Sequence, residues 1–201
     1  MNDRPRAEVD DSQNEPEPDL LRVARELGAL PEFLSLQRVR LHQQNYLIFR
    51  RNTEELVAQL TVHGGGSNGE VAEVWDVNRR EKLHELQRDI SRLMHNFLAA
   101  ASSLIDTTRV LYNRYTPDRF SEYQPRIDSE FKNDALAAFV VCLRQYALHY
   151  EALPITSAME LRPGAAMTSR VYLDRARLDG YSGWNAPAKR YLAGIVGKVP
   201  L

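Results

Sequence analysis

Residues 70–116 read EVAEVWDVNRREKLHELQRDISRLMHNFLAAASSLIDTTRVLYNRYT, a run without glycine or proline. Leu83, Leu86, Ile90, Leu93, Phe97, Leu104 and Leu111 recur along it mostly at three-, four- or seven-residue steps, which predicts a helix of several tens of residues with one apolar face. At ~1.5 Å per residue such a helix is long enough to span a whole bundle. A second interval free of both breakers runs from Pro31 to Gly64. Within it Phe33, Leu34, Leu41, Tyr46, Phe49, Leu56 and Leu60 return at roughly helical intervals. Pro31 suits a first helical turn, and the sequence HGGGSNG that starts at His63 predicts the end of that helix.

Downstream, Pro117 and Pro125 bracket an aromatic connector. Ile127, Phe131, Phe139, Leu143, Tyr146 and Tyr150 then predict a third helix from about Ile127 to His149, with Pro154 forbidding much continuation. The texture changes after it. ITSAMEL and MTSRVYL flank Arg162-Pro163-Gly164-Ala165, which predicts a β-hairpin near residues 155–173. Short helices are expected over Asp174 to Leu178 and Ala186 to Leu192, and another from Asp19 to Leu27 with Gly28 as its stop. The expected fold is mainly α, an antiparallel bundle of long helices with a small β appendage near the C-terminal end.

The 201 residues are 43% hydrophobic and 26% charged, ordinary for a globular protein, and the formal net charge is -1. That near-neutrality is a sum of unlike parts. Asp3, Glu8, Asp10, Asp11, Glu15, Glu17 and Asp19 crowd one end against only Arg4 and Arg6, so the rest of the chain is mildly basic. Residues 1–18, acidic and almost free of large apolar groups, predict a disordered tail, and 19–201 a single domain. Four of the 26 basic residues are lysines (Lys82, Lys132, Lys189 and Lys198) and the other 22 are arginines. No stretch approaches the ~20 apolar residues of a membrane span, and the N-terminus has no apolar secretory core, so a cytoplasmic protein without a membrane partner is expected.

Several chemistries drop out on residue type. The lone Cys142, inside the apolar run Ala137 to Leu143, gives neither a disulfide framework nor a cysteine zinc site and is expected to be buried. His42, His63, His84, His95 and His149 form no HExxH motif or i,i+4 pair, so no metal and no cofactor is expected. His63-Gly64-Gly65-Gly66 looks like an oxyanion loop, and Gly64, Gly66 and Gly69 fit GxGxxG. Both motifs need a preceding strand, and here a helix precedes them.

Two features remain. His95, Ser102, Asp106, Arg109 and Asn113 step by 7, 4, 3 and 4 along the long helix, either as a solvent face or as a polar seam under an active site. Asp106 and Arg109 are spaced to pair across one turn. The second feature is Arg144-Gln145-Tyr146-Ala147-Leu148-His149. An imidazole moves protons near neutral pH, and a guanidinium holds a phosphate and stabilises its negative charge in a transition state. Arg79 and His84 share the same spacing. Arg144 and His149 are set apart by Phe139 to Leu143 directly before them, which places them where a helix is mostly buried. The alternative is that both merely fasten the end of the helix.

Leu143-Arg144-Gln145-Tyr146-Ala147-Leu148-His149-Tyr150, after an apolar helix and before a proline, resembles the signature of the HEPN superfamily of helical-bundle proteins. Met94-His95-Asn96-Phe97-Leu98-Ala99-Ala100, continuing to Asp106-Thr107-Thr108-Arg109, is similar to the preceding helix in bacterial relatives. The resemblance covers roughly residues 75–155. It implies a metal-independent endoribonuclease, often of toxin–antitoxin or antiphage systems and typically a homodimer, with RNA as substrate and an antitoxin or regulatory protein as a further partner. Arg144 would bind the scissile phosphate, His149 would act in proton transfer with the RNA 2′-hydroxyl, and Gln145 would orient the pair, with His95, Asp106 and Arg109 in support. Glutamine stands at 145 where asparagine, aspartate or histidine is more usual in the family. The alternative function is a non-catalytic helical binding or regulatory protein on the same scaffold.

Overall fold

A computed structural model describes residues 18–65, 72–115, 120–160 and 168–201. The acidic tail, most of the glycine-rich loop and the hairpin turn at Arg162 to Ala165 therefore lie outside the described residues, Pro18 excepted. The order of elements is α1 (Asp19–Ala29), α2 (Pro31–Gly65), a 3₁₀ turn (Val77–Arg79), α3 (Arg80–Tyr115), α4 (Tyr123–Glu130), α5 (Ala135–His149), β1 (Ile155–Glu160), β2 (Thr168–Leu173), α6 (Arg175–Asp179), α7 (Ala186–Ala193) and β3 (Val199–Pro200). The fold is mainly α with a C-terminal β-hairpin, as the sequence predicts. Among the described residues no helix is long and apolar enough to cross a membrane. Contacts divide the chain at Leu41, inside α2, into two compact units.

In the first unit Leu30, held extended before Pro31, separates α1 from α2 (φ -63°, ψ 133°), because a residue preceding proline is disfavoured in the helical region. Arg22 bonds Asp19 across one turn at 3.1 Å, and the Ser35 hydroxyl donates to the Pro31 carbonyl at 2.8 Å. No residue from Pro18 to Leu41 is buried.

The second unit, His42–Leu201, contains the core. Leu86, Ile90, Leu93, Met94 and Leu98 of α3 meet Phe139, Cys142, Leu143 and Tyr146 of α5 there, so the apolar stripe of the long helix is the buried one. Leu56 of α2 is buried among them, and Phe49 packs its ring 5.8 Å from Phe97. Asp76 caps the turn before α3 by accepting from the Asn78 amide at 2.8 Å.

The expected third helix is divided. Asp134 accepts from the Ala137 amide at 2.5 Å and starts α5 afresh, while α4 ends at Glu130 after carrying Pro125 in its first turn, where a missing N–H costs nothing. The polar pair Asn133-Asp134 before an apolar run was the sequence signal for that break. At the end of α2, His63, Gly64 and Gly65 remain helical, so the helix runs three residues into the expected loop, and Gln59 contacts His63 at 3.2 Å.

The hairpin pairs Ile155 with Leu173 through Glu160 with Thr168, antiparallel, and β3 adds a third strand on β2, Leu173 opposite Val199. Gly197, with φ +83°, turns the chain into β3 in a conformation that side chains disfavour. This sheet is no appendage. Leu173, Leu178, Ala188 and Val199 are as fully enclosed as Ile90 and lie in the same cluster, with Trp184 beside them. Trp75 donates to the Ser169 hydroxyl at 3.0 Å, which ties the segment before α3 to β2.

Candidate functional site

The Arg144–His149 segment is the last turn and a half of α5. Its middle residue decides how it sits. Tyr146 is fully buried in an aromatic block, with ring centroids 5.4 Å from Tyr181, 6.1 Å from Trp184 and 5.3 Å from Tyr150. Trp184 is itself held by its indole N–H donating to the Leu178 carbonyl at 2.8 Å and by stacking on Phe139 at 5.3 Å. Such rings remove a large apolar area from water and prefer the tilted and edge-on geometries seen here.

The Tyr146 hydroxyl donates to Glu151 Oε2 at 2.8 Å, and the other oxygen of Glu151 accepts from Arg177 Nη2. Burial, reinforced by the carboxylate, pushes the phenol up to about 12. The bonds from Tyr146 and Arg177 hold the Glu151 carboxyl below its ordinary range, and the bond to Glu151 holds the Arg177 guanidinium above its own. Tyr150 adds a long bond to the Gly180 carbonyl, 3.5 Å.

Arg144 and His149 take no part in this network. Arg144 is half-buried, and its Nε is enclosed without a hydrogen-bond partner. His149, the last residue of α5, is exposed, and Gln145 is half-buried. Among the described residues neither Arg144 nor His149 has a side-chain hydrogen bond or ion pair. Five positions apart, they are rotated by ~140° about the helix, so within one chain they are not stacked neighbours.

The second feature resolves differently. His95, Asp106, Arg109 and Asn113 are exposed along α3, and only Ser102 is half-buried. Asp106 and Arg109 are 3.9 Å apart with side chains 68% and 63% exposed, an interaction that water screens heavily. Among the described residues no hydrogen bond or ion pair joins these side chains to Arg144 or His149.

Two cavities frame the choice. The larger, 680 Å³, lies between the end of α3 and α4 and is lined by Leu111, Tyr112, Tyr123, Ile127 and Phe131 among others. Of its charged lining residues, Arg126 and Glu130 pair at 3.2 Å and Glu122 adds a further acid, and it contains none of the predicted site residues. The smaller, 310 Å³, is lined by His84, Gln87, Arg88, Ser91, Leu153, Ile155 and Arg177. It shares Arg177 with the network at the end of α5. Among the described residues no group of three or more His, Cys, Asp or Glu is placed to hold a metal ion.

Sequence reasoning did not find Glu151 and Arg177. Glu151 was within reach, an acid directly following the motif, but Arg177 is 26 positions further on and no spacing rule connects the two. No protein-family model, no curated protein and no solved structure compared with this chain matches it.

Proposed function

We propose that this chain is a metal-independent endoribonuclease of the HEPN type, cytoplasmic, acting as a homodimer in a toxin–antitoxin or antiphage setting. The observation that carries the proposal is the division of labour at the end of α5. Tyr146, Glu151 and Arg177 fasten the helix, and among the described residues Arg144 and His149 take no part in that network and have no side-chain partner. An enclosed guanidinium nitrogen without an acceptor is costly. Arg144 is only half-buried, and the outer nitrogens of a guanidinium are the donors from which a phosphate oxygen accepts.

In this reading Arg144 holds the scissile phosphate and stabilises the charge that grows on it. His149 removes the proton of the adjacent 2′-hydroxyl, the 2′ oxygen forms a bond to phosphorus, and the bond from phosphorus to the 5′ oxygen breaks. The departing 5′ oxygen takes its proton from the second copy's imidazole or from water. The products are a 2′,3′-cyclic phosphate and a 5′-hydroxyl. Gln145, beside Arg144, orients the guanidinium. His95, Asp106 and Arg109 supply a polar surface on α3 that a second copy or the RNA would contact.

A non-catalytic binding or regulatory protein is the second reading. The unlike settings of Arg144 and His149, one half-buried and the other exposed, favour it. Incubating total RNA with the purified protein and its His149→Ala variant in EDTA separates the two. Cleavage that falls by about 10²–10⁴ in the variant is the expected outcome. No cleavage by the unsubstituted protein over a range of RNAs and salt concentrations favours the binding reading.

A further inference from the structure

His84, Gln87, Arg88 and Ser91 stand at i, i+3, i+4 and i+7 on α3 and therefore share one helix face. That face lines the 310 Å³ groove together with Arg177 of α6 and the apolar side chains of Leu153 and Ile155. Among the described residues Arg88 and His84 have no side-chain hydrogen bond or ion pair, whereas Arg92 on the same helix reaches Asp89 at 3.8 Å and Arg79, in the turn before it, reaches Asp76 at 3.8 Å. Of the acids nearest in sequence, Asp89 follows Arg88 by one position and is turned ~100° away from it, while Glu85, three positions before Arg88, makes no ion pair with it among the described residues. Arg177 commits one nitrogen to Glu151, which leaves the other donors of its guanidinium for the groove. Donors beside apolar side chains suit an anion attached to a flat, weakly polar body.

We propose that this groove binds the phosphates and one base or sugar of a single-stranded RNA beside the cleavage position. The assignment rests on the ribonuclease reading for the word cleavage, but its chemistry is independent of that step. The groove adjoins the motif through a short chain of contacts. Arg177 bonds Glu151, Glu151 accepts from Tyr146, and Tyr146 lies between Arg144 and His149. Arg177 is the groove residue tied to the end of α5, through Glu151. Arg88 and His84 supply charge and donors there, and Leu153 and Ile155 supply an apolar contact surface.

The test measures binding rather than turnover. A fluorescein-labelled single-stranded RNA of about a dozen nucleotides is titrated in EDTA against the His149→Ala chain. The same titration is run on that chain carrying Arg88→Gln and on that chain carrying Arg92→Gln, whose side chain lies outside the groove. The expected result for Arg88→Gln is a roughly five- to tenfold weaker affinity, with the slope of log affinity against log salt shallower by about 0.7, the value for one lost phosphate contact on a single strand. Arg92→Gln should leave both unchanged. Equal behaviour of the two variants, or no RNA binding by the parent chain, overturns the groove. Inorganic phosphate as competitor distinguishes the sources of the anion. Displacement of the RNA at low millimolar phosphate, equally in the parent and Arg92→Gln chains, overturns RNA as the ligand in favour of a small phosphate site. An Arg88 effect in a protein that never cleaves RNA upholds the groove and removes the ribonuclease, whereas cleavage unaffected by Arg88→Gln, with binding also unaffected, does the reverse.

Discussion

Residues 18–41 and residues 150–201 are both rich in apolar side chains, yet they use them in opposite ways. In the first stretch ten large apolar residues, from Leu20 (82% exposed) to Leu41 (60%), face water and none is buried. In the second, Leu153, Val171, Leu173, Leu178, Trp184, Leu192 and Val199 are all buried in the core. The helical spacing of α1 is as regular as that of α3, so periodicity alone does not distinguish a core face from an open one. What distinguishes them is a partner. An 11-residue helix is marginal in water without tertiary packing, whereas α6 and α7, of five and eight residues, are held because Leu178, Ala188 and Leu192 are enclosed. Arg175 strengthens the second region further, bonding the Leu192 and Ile195 carbonyls at the end of α7 as well as Asp179.

The sharpest way to break this contrast is to truncate the residue on which the second region converges. Tyr146→Ala removes a fully buried ring and should cost about 3–5 kcal/mol in urea unfolding, by cavity formation and lost transfer energy together. If it costs as little as a surface change, the aromatic block is not what holds α5.

Tyr146→Phe keeps the ring and removes only the donor to Glu151, so a smaller loss is expected. Its clearer signature is in the pH dependence. The folded protein keeps this phenol protonated up to about 12, while the unfolded chain releases it near the ordinary phenol value of 10.0. Across that window the unfolded state binds fewer protons than the folded one, so stability is full below the lower value and falls as pH rises through the upper. Stability followed by circular dichroism should show that fall in the parent chain and a weaker one in the phenylalanine variant. Identical alkaline profiles would mean that the hydroxyl is not sequestered.

The smallest effect belongs to the other region. Leu27→Ser changes a side chain 51% exposed and should shift stability by no more than about 0.5 kcal/mol. A larger destabilisation, measured at a concentration where the chain is monomeric, would show that α1 has a buried face.

Much of the fold was legible because its signals are local. The absence of breakers and the apolar steps from Leu83 to Leu111 located α3, Pro31 located the start of α2, and the alternation around Arg162 to Ala165 located β1 and β2. The division of the third helix at Asp134 was local too, but a short capping pair carried it, and the apolar repeat ran across that pair. The candidate site was legible in part. Arg144 and His149 were singled out as candidates by residue type and apolar context, whereas Glu151, Arg177 and the Arg88 groove depend on contacts between positions far apart in the chain. The stripe from His95 to Asn113 was read as a seam or a solvent face with nothing in its spacing to decide, and its exposure in the protomer is a tertiary result.

The sequence by itself determined where most of the helices and the hairpin lie, which residue types are on offer as a candidate pair, and that acid is concentrated at one end. These follow from backbone preferences and side-chain chemistry, which act within a few residues. Only the tertiary structure decided which apolar faces are enclosed, that the C-terminal sheet belongs to the core, and that Tyr146, Glu151 and Arg177 rather than Arg144 and His149 fasten α5. Burial and pairing are properties of surfaces brought together across long stretches of chain, and apolar periodicity is the same whether or not a partner arrives.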